Sequence, residues 1–262
     1  MTDTADNSPL LRFGNRLRSK MAAGPTYGLF LVSGNATLAE AAAYTGADWA
    51  IIDMEAAAMT KVDALHQAQA LTGTEAAALI RVPSLDRHQI EYALDLGVAG
   101  VMVPKVEQAG DAELAAQSCR YPPDGHRGVN PIRASAYYQG SQQYFRSANR
   151  EVLCIVQIES REALRNVDKI AQTVGVDMLF IGAGDLAMDL GQPGDPTGPA
   201  FDSARQAVLA ACEAAGKTAG IFAQSPKLAR TYAKEGFRFI CVGNEVGFFV
   251  QSAASTVNML RR

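Results

Sequence analysis

Eight short apolar runs alternate along the chain with Ala-rich stretches that carry apolar residues at helical spacing. Within each run the apolar residues are continuous, which indicates strands covered on both faces, as parallel strands under crossover helices are. The runs span residues 27–32, 49–53, 76–82, 99–104, 152–159, 177–182, 218–223 and 237–243. Stretches between them, such as 225–237, end in a glycine suited to a helix C-cap. Eight such units in about 250 residues predict a (β/α)8 TIM barrel.

Length and composition favour a single α/β domain over residues 1–262. A chain of 262 residues with 48% hydrophobic positions can bury one large core. We expect an additional N-terminal helix before the barrel and a C-terminal helix after it. The longest interruption of the repeat, "RYPPDGHRGVNPIRASAYYQG" at 120–140, is too polar for a core. It predicts an active-site loop or an interface segment.

Charge and cysteine usage bear on the compartment and the partners. The formal charge of −3 provides no basic surface of the kind that binds nucleic acid. No apolar run approaches the roughly 18 residues of a membrane span, and the N-terminus lacks the apolar region of a signal peptide. The four cysteines are far apart and form no C-x-x-C pair. We therefore expect a cytoplasmic protein with reduced thiols that binds neither nucleic acid nor membrane.

Charged residues follow successive predicted strands. Because the chemistry of TIM barrels lies at the carboxyl ends of the strands, these side chains should meet at one mouth. They are Asp53 and Glu55 after the second run, Arg81 after the third, Lys105 and Glu107 after the fourth, Gln157 and Glu159 in the fifth, and Asp185 after the sixth. The alternative is local pairing, in which Arg81 binds Asp53 or Glu55 and Lys105 binds Glu107 or Glu55.

Glu159 and Asp185 are the best candidates for metal ligands in the sequence. Two carboxylates from neighbouring strands, with waters completing an octahedron, suit a hard cation such as Mg²⁺ or Mn²⁺. The alternative is that Glu159 pairs with Arg161 and that Asp185 caps the following helix.

The ordered motifs "IIDME", "IRVP", "LDLG", "VMVPKVE", "RYPPDGHRGV", "VQIES" and "FIGAGDLAMDLG" resemble the HpcH/HpaI family of metal-dependent, pyruvate-type class II aldolases. The resemblance extends from Gly28 to Gly243 and implies a (β/α)8 barrel with a divalent ion. It also implies a homo-oligomer, based on dimers and extending to a hexamer, in which the C-terminal helix "EVGFFVQSAASTVNML" packs on a partner barrel.

Matched to the family residue by residue, the resemblance implies that Glu159 and Asp185 bind the metal, which chelates a 2-oxo acid. Arg81 would stabilise the charge of the developing enolate. The side chain of Gln157 would contact the substrate or support a residue that does. The backbone of Gly182, Ala183 and Gly184, together with that of Asp185, would hold the substrate carboxylate.

The sequence departs from the family at a proton-transfer position. The strand-two motif of the aldolases runs D-x-E-H, whereas this chain has Ala56 in place of the histidine. Asp95 matches the aspartate that supports that histidine. The loss of a general acid or base typically costs 10²–10⁴-fold in rate. Lys105 and Glu55 are candidates to replace it, with Asp53 beside them.

A second departure concerns the substrate. Asn130, Arg133 and Tyr137 stand where small residues are common in the aldolases. Arg133 is therefore a candidate to bind a second substrate carboxylate, and the alternative is that it serves subunit packing.

Together with these residues, the resemblance implies a carbon–carbon lyase, an aldolase acting through the enolate of pyruvate or another 2-oxo acid. One alternative is a Claisen-type condensation of oxaloacetate with an acyl thioester on the same scaffold. A non-catalytic binding protein built on an aldolase scaffold is the other.

Overall fold

Eight parallel strands close into a barrel in the order of the sequence, with the first strand paired to the eighth. The computed structural model describes residues 12–261, with side chains from Arg16 onward. The strands are β1 Thr26–Leu31, β2 Trp49–Asp53, β3 Ala77–Arg81, β4 Gly100–Val103, β5 Leu153–Ile158, β6 Met178–Ile181, β7 Thr218–Phe222 and β8 Phe239–Asn244. Each predicted apolar run overlaps one of these strands, so the prediction of a (β/α)8 barrel is confirmed.

Helices connect successive strands, and one further helix lies at each end. The first precedes β1 and the last follows β8, as predicted. The helices are α1 Arg12–Ala23, α2 Ala36–Ala43, α3 Lys61–Leu71, α4 Arg87–Asp95, α5 Ala109–Cys119, α6 Ser141–Glu151, α7 Arg161–Arg165, α8 Val167–Gln172, α9 Ala183–Asp189, α10 Pro199–Ala215, α11 Pro226–Glu235 and α12 Glu245–Leu260. None of the helices in this described part of the chain is both long and apolar enough to cross a membrane.

The barrel interior is packed with aromatic side chains toward the amino-terminal ends of the strands. Trp49 stacks on Phe239 with ring centroids 3.7 Å apart. Gly28 makes room for this pair, since a Cβ at that position would lie 2.2 Å from the indole ring. Leu17 and Met21 of α1 are buried in the same cluster. The amino-terminal end of the barrel is therefore filled, and the carboxyl-terminal end is left for a cavity.

The polar segment 120–140 packs on the outside of the barrel. Arg127 is fully buried and bonds to Asp95 at the end of α4, at 2.6 Å. Its guanidinium lies over the rings of Tyr121 and Tyr144, at 4.6 and 5.6 Å from their centroids. These contacts hold the segment against α4 and α6, and its role as an active-site loop or an interface segment stays a prediction.

Candidate active site

Arg81 and Asp53 form a forked ion pair at the carboxyl ends of β3 and β2. The two residues are register partners. The Arg81 Nε donates to Asp53 Oδ1 at 2.9 Å, and Nη2 donates to Oδ2 at 2.7 Å. Nη1 lies 2.9 Å from Glu55 Oε2, and the guanidinium lies 4.8 Å from the centroid of the Phe30 ring. The predicted ion pairs of Arg81 are confirmed, and they fix the guanidinium in one orientation.

Asp53 also organises the turn that follows β2. Its Oδ1 accepts hydrogen bonds from the peptide N–H groups of Glu55 and Ala56, at 3.2 and 3.3 Å. A buried carboxylate needs such partners, and Asp53 is only 2% exposed. The apolar strand ends in acids because one acid holds both the turn and the arginine, while the other acid holds the arginine from a second side.

Glu159 follows β5 and is held by two donors. Lys105 donates its peptide N–H to Oε1 at 2.7 Å, and Gln157 donates its side-chain Nε2 to Oε2 at 2.9 Å. Lys105 has a φ of 55°, in the left-handed region that few non-glycine residues adopt. Gly182 lies so close that a Cβ there would be 2.6 Å from Glu159 Oε2. Local backbone features therefore set the orientation of this carboxylate.

The carboxylates of the site repel one another. Burial raises the pKa of Glu159 to about 7; the Lys105 N–H lowers it, Glu55 and Asp185 raise it further, and Arg81 lowers it. Burial also raises the pKa of Glu55, while the charges of Arg81 and Lys105 oppose that rise. The site thus carries more negative charge than its own cations balance.

The donor set fits a divalent cation. Asp185 is exposed in the first turn of α9 and makes no capping hydrogen bond, because Gly182 is the N-cap residue; the prediction that Asp185 caps this helix is wrong. Gln157 is buried, and its Oε1 has no hydrogen-bond partner. Within the described residues, no three His, Cys, Asp or Glu side chains form a ready-made cage. Two carboxylates completed by water and substrate oxygens suit a hard ion.

A cavity of about 380 Å³ opens beside these groups. Its polar side is formed by Asp53, Arg81, Gln157, Asp185 and the backbone of 182–184. The remaining wall comes mainly from the carboxyl ends of β1, β6, β7 and β8, which carry no predicted site residue apart from those after β6. The residues of this wall are Phe30, Val32, Ala56, Phe180, Phe222, Gln224 and Asn244. The wall residues at the carboxyl ends of β1, β7 and β8 are predictable from the sequence, because a parallel barrel brings all eight strand ends to the same mouth.

Two predicted site residues lie elsewhere in the chain. Asp95 is the last residue of α4, which runs away from the mouth for nine residues, or about 13 Å, and its side chain binds Arg127. Within one chain Asp95 thus pairs with Arg127, and its predicted role beside Ala56 stays a prediction. Within one chain the Arg133 guanidinium is buried and donates to the Leu96 carbonyl and to Thr72 Oγ1, and its predicted role in substrate binding or subunit packing stays a prediction. Arg133 fastens the polar segment to the ends of α3 and α4.

Lys105 reaches the site through its backbone rather than through a salt bridge. Its side chain is exposed and forms no ion pair with any residue that the structure describes, so the predicted pairing with Glu107 or Glu55 is not found. The ammonium group is nevertheless near enough to lower the pKa of Glu55. The role predicted for this side chain in proton transfer stays a prediction, as does that of Glu55.

Comparison with known proteins identifies the family. The model of the HpcH/HpaI aldolase/citrate lyase family matches residues 26–252. A 2-dehydro-3,6-dideoxy-6-sulfogluconate aldolase of Pseudomonas putida is 37% identical over 86% of this chain and 89% of its own. A hydroxypyruvate/pyruvate aldolase of Paraburkholderia phytofirmans is 35% identical over 95% of this chain and 98% of its own. The crystal structure of an HpcH/HpaI aldolase/citrate lyase family protein from Burkholderia cenocepacia matches with a TM-score of 0.89 and 37% identity, covering 96% of this chain and 99% of that chain. This chain belongs to the HpcH/HpaI aldolase/citrate lyase family.

Proposed function

We propose that the protein is a divalent-metal-dependent aldolase that cleaves a 4-hydroxy-2-oxo acid through the enolate of pyruvate or another 2-oxo acid. The observation that carries this proposal is the meeting of the Asp53–Arg81–Glu55 cluster with Glu159 at one mouth of the barrel. The aldolase names of the relatives support it.

Glu159 and Asp185 would hold Mg²⁺ or Mn²⁺, with Gln157 beside them. When bound, the ion supplies a Lewis acid for the carboxylate and keto oxygens of the 2-oxo acid. The excess of carboxylates and the unpartnered Gln157 Oε1 support this assignment.

Arg81 is the group that acts on the developing charge. In the cleavage direction the C3–C4 bond breaks, its electrons become those of the enolate, and the C4 hydroxyl loses its proton as the aldehyde forms. A guanidinium already fixed by Asp53 and Glu55 needs no reorganisation as negative charge grows on the keto oxygen. Protonation of the enolate carbon then completes the formation of the 2-oxo acid.

The decisive experiment is exchange of the α-protons of pyruvate in deuterated water, which requires enolate formation and no aldehyde. We expect exchange with Mg²⁺ or Mn²⁺ and at least a hundredfold loss in Arg81→Lys. Exchange that is absent in the wild type under every divalent ion would overturn the proposal and favour a binding protein.

The structure weakens the case for the Claisen-type alternative. That alternative rested on the departures at Ala56 and Lys105 and on Arg133 as a possible second carboxylate site. Ala56 lines the cavity, whereas Arg133 lies at the ends of α3 and α4, and the exposed Lys105 side chain is not among the cavity's lining residues. We therefore do not propose it.

We also propose that the protein forms a dimer-based homo-oligomer through α12. No residue of this helix is buried, although it carries Phe248, Phe249 and Val250. A largely apolar cavity of about 460 Å³ lies between α2 and the start of α12. Light scattering of the purified protein tests this; a monomer at micromolar concentration would contradict it.

A further inference from the structure

We infer that the acceptor aldehyde of this enzyme is uncharged and carries a short aliphatic chain, which packs on an apolar wall formed by Phe30, Val32, Ala56 and Phe222. This inference rests on the proposed aldolase function and names the second substrate, the one that leaves as the aldehyde in cleavage.

The four side chains of the apolar wall line the same cavity as Arg81, the residue that would act on the enolate. The Phe30 and Phe222 rings have centroids 6.5 Å apart, and both line the cavity. Ala56 adds a methyl group from the turn after β2, and Val32 adds an isopropyl group after β1. Since the guanidinium of Arg81 lies over Phe30, the wall begins where the polar half of the cavity ends. A hydrocarbon chain that packs on this wall would lie next to the reacting carbon, and its apolar surface would be removed from water, which favours binding.

The charges of the site disfavour a second anion. Four carboxylates belong to it, namely those of Asp53, Glu55, Glu159 and Asp185, whereas its cations are Arg81 and Lys105. One divalent ion brings this set to neutrality, and the carboxylate of the 2-oxo acid then makes it negative again. An acceptor with its own carboxylate, sulfonate or phosphate would add a further negative charge in a partly buried cavity, where repulsion is less screened than in water.

The cation that the sequence suggested for such a group is engaged elsewhere. Arg133 donates hydrogen bonds from Nη1 to the Leu96 carbonyl and from Nη2 to Thr72 Oγ1. Of the described side chains that line the cavity, Arg81 is the single cation, and two carboxylates already hold it. A volume of about 380 Å³ lies at the small end of the range for ligand sites, roughly 300–1,000 Å³, so the chain on the aldehyde must be short.

The test compares butanal with succinic semialdehyde, which share a four-carbon chain and differ by a terminal carboxylate. Aldol addition to pyruvate is measured with Mn²⁺ for both, together with α-proton exchange of pyruvate alone. We expect kcat/KM for butanal to exceed that for succinic semialdehyde at least tenfold. A preference for succinic semialdehyde with normal exchange would overturn the inference and leave the aldolase function standing. Absence of exchange would overturn both.

A variant pair then tests the cause of the preference. Gln224 lines the cavity after β7 with an exposed side chain, so a longer side chain there need not be buried. Gln224→Lys adds a cation and should move the ratio of the two kcat/KM values at least tenfold toward succinic semialdehyde. Gln224→Met has similar length without charge and should leave the ratio within threefold of wild type. Equal shifts in both variants would show that charge does not set the preference.

Discussion

Asp53 and Arg81 face each other across β2 and β3 as register partners, and two hydrogen bonds of 2.9 and 2.7 Å join their side chains. Glu55 takes a third nitrogen of the same guanidinium. The arginine is thus oriented before any substrate arrives, which is the condition under which a fixed cation contributes most to a transition state.

Arg81→Lys keeps the charge and removes the fork. We expect kcat for exchange and for aldol cleavage to fall about 10²-fold with a smaller change in KM, since the interaction strengthens as enolate charge develops. Steady-state kinetics with saturating Mn²⁺ measure both constants. An unchanged kcat with a raised KM would mean that Arg81 only holds the ground-state substrate.

Gly182→Ala should displace Glu159, because the added Cβ would lie 2.6 Å from its Oε2 and 2.8 Å from its Cβ. We expect a loss of Mn²⁺ affinity of at least tenfold, measured by calorimetry. Gly184→Ala is the matched control in the same turn, since its Cβ would meet no atom within 4 Å. Equal affinities in the two variants would contradict the assignment of Glu159 as a ligand.

Lys105→Gly distinguishes the contribution of the backbone N–H of this residue from that of its ammonium group. Glycine adopts the φ of 55° without strain and keeps the N–H that bonds to Glu159, so we expect activity within threefold of wild type. Lys105→Val disfavours that conformation and should lower Mn²⁺ affinity. If Lys105→Gly instead lost 10²-fold in kcat, the ammonium group would be taking part in proton transfer.

The metal-free protein should lose stability as the pH rises from about 4.5 toward 7. Folding raises the pKa of Glu159 to about 7, so the folded state binds a proton that the unfolded state has already released in this window. The full shift in the pKa of Glu159 corresponds to a loss of roughly 3 kcal/mol at most in the free energy of unfolding. Urea unfolding in EDTA at pH 5 and pH 8 measures it. Glu159→Gln should remove most of this dependence, whereas the exposed control Glu113→Gln should keep it.

Ala56→His tests whether the site is an aldolase that has merely lost a base. Ala56 lines the cavity, and Asp95, bound to Arg127, is not beside it to orient an imidazole in the same chain. We therefore expect no gain in pyruvate exchange and a fall in aldol addition of butanal. A large gain in exchange with no loss of any other reaction would show that the ordinary relay is restored.

The fold was predictable because continuous apolar runs report strands covered on both faces. The position of Asp53, Arg81, Glu159 and Asp185 at one mouth was predictable because a parallel barrel brings all strand ends together, whereas their roles remain proposals. Within one chain Arg133 and Asp95 bind other partners than those predicted, because motif order does not show which way a side chain faces or how far along a helix it lies. The hydrogen bond from the Lys105 peptide N–H to Glu159 depends on the positive φ of Lys105. A lysine in the sequence does not indicate that backbone conformation.

Trp49, the one tryptophan of the chain, is buried at the start of β2 and stacked on Phe239. Asp53 at the catalytic mouth is four residues further along the same strand, or about 13 Å away. Tryptophan fluorescence should therefore change when the barrel core unfolds, and should change little when metal or substrate binds at the mouth. Binding studies on this protein need a heat signal or an introduced fluorophore, whereas in unfolding curves a bound ligand should shift the midpoint without changing the indole signal of the folded state.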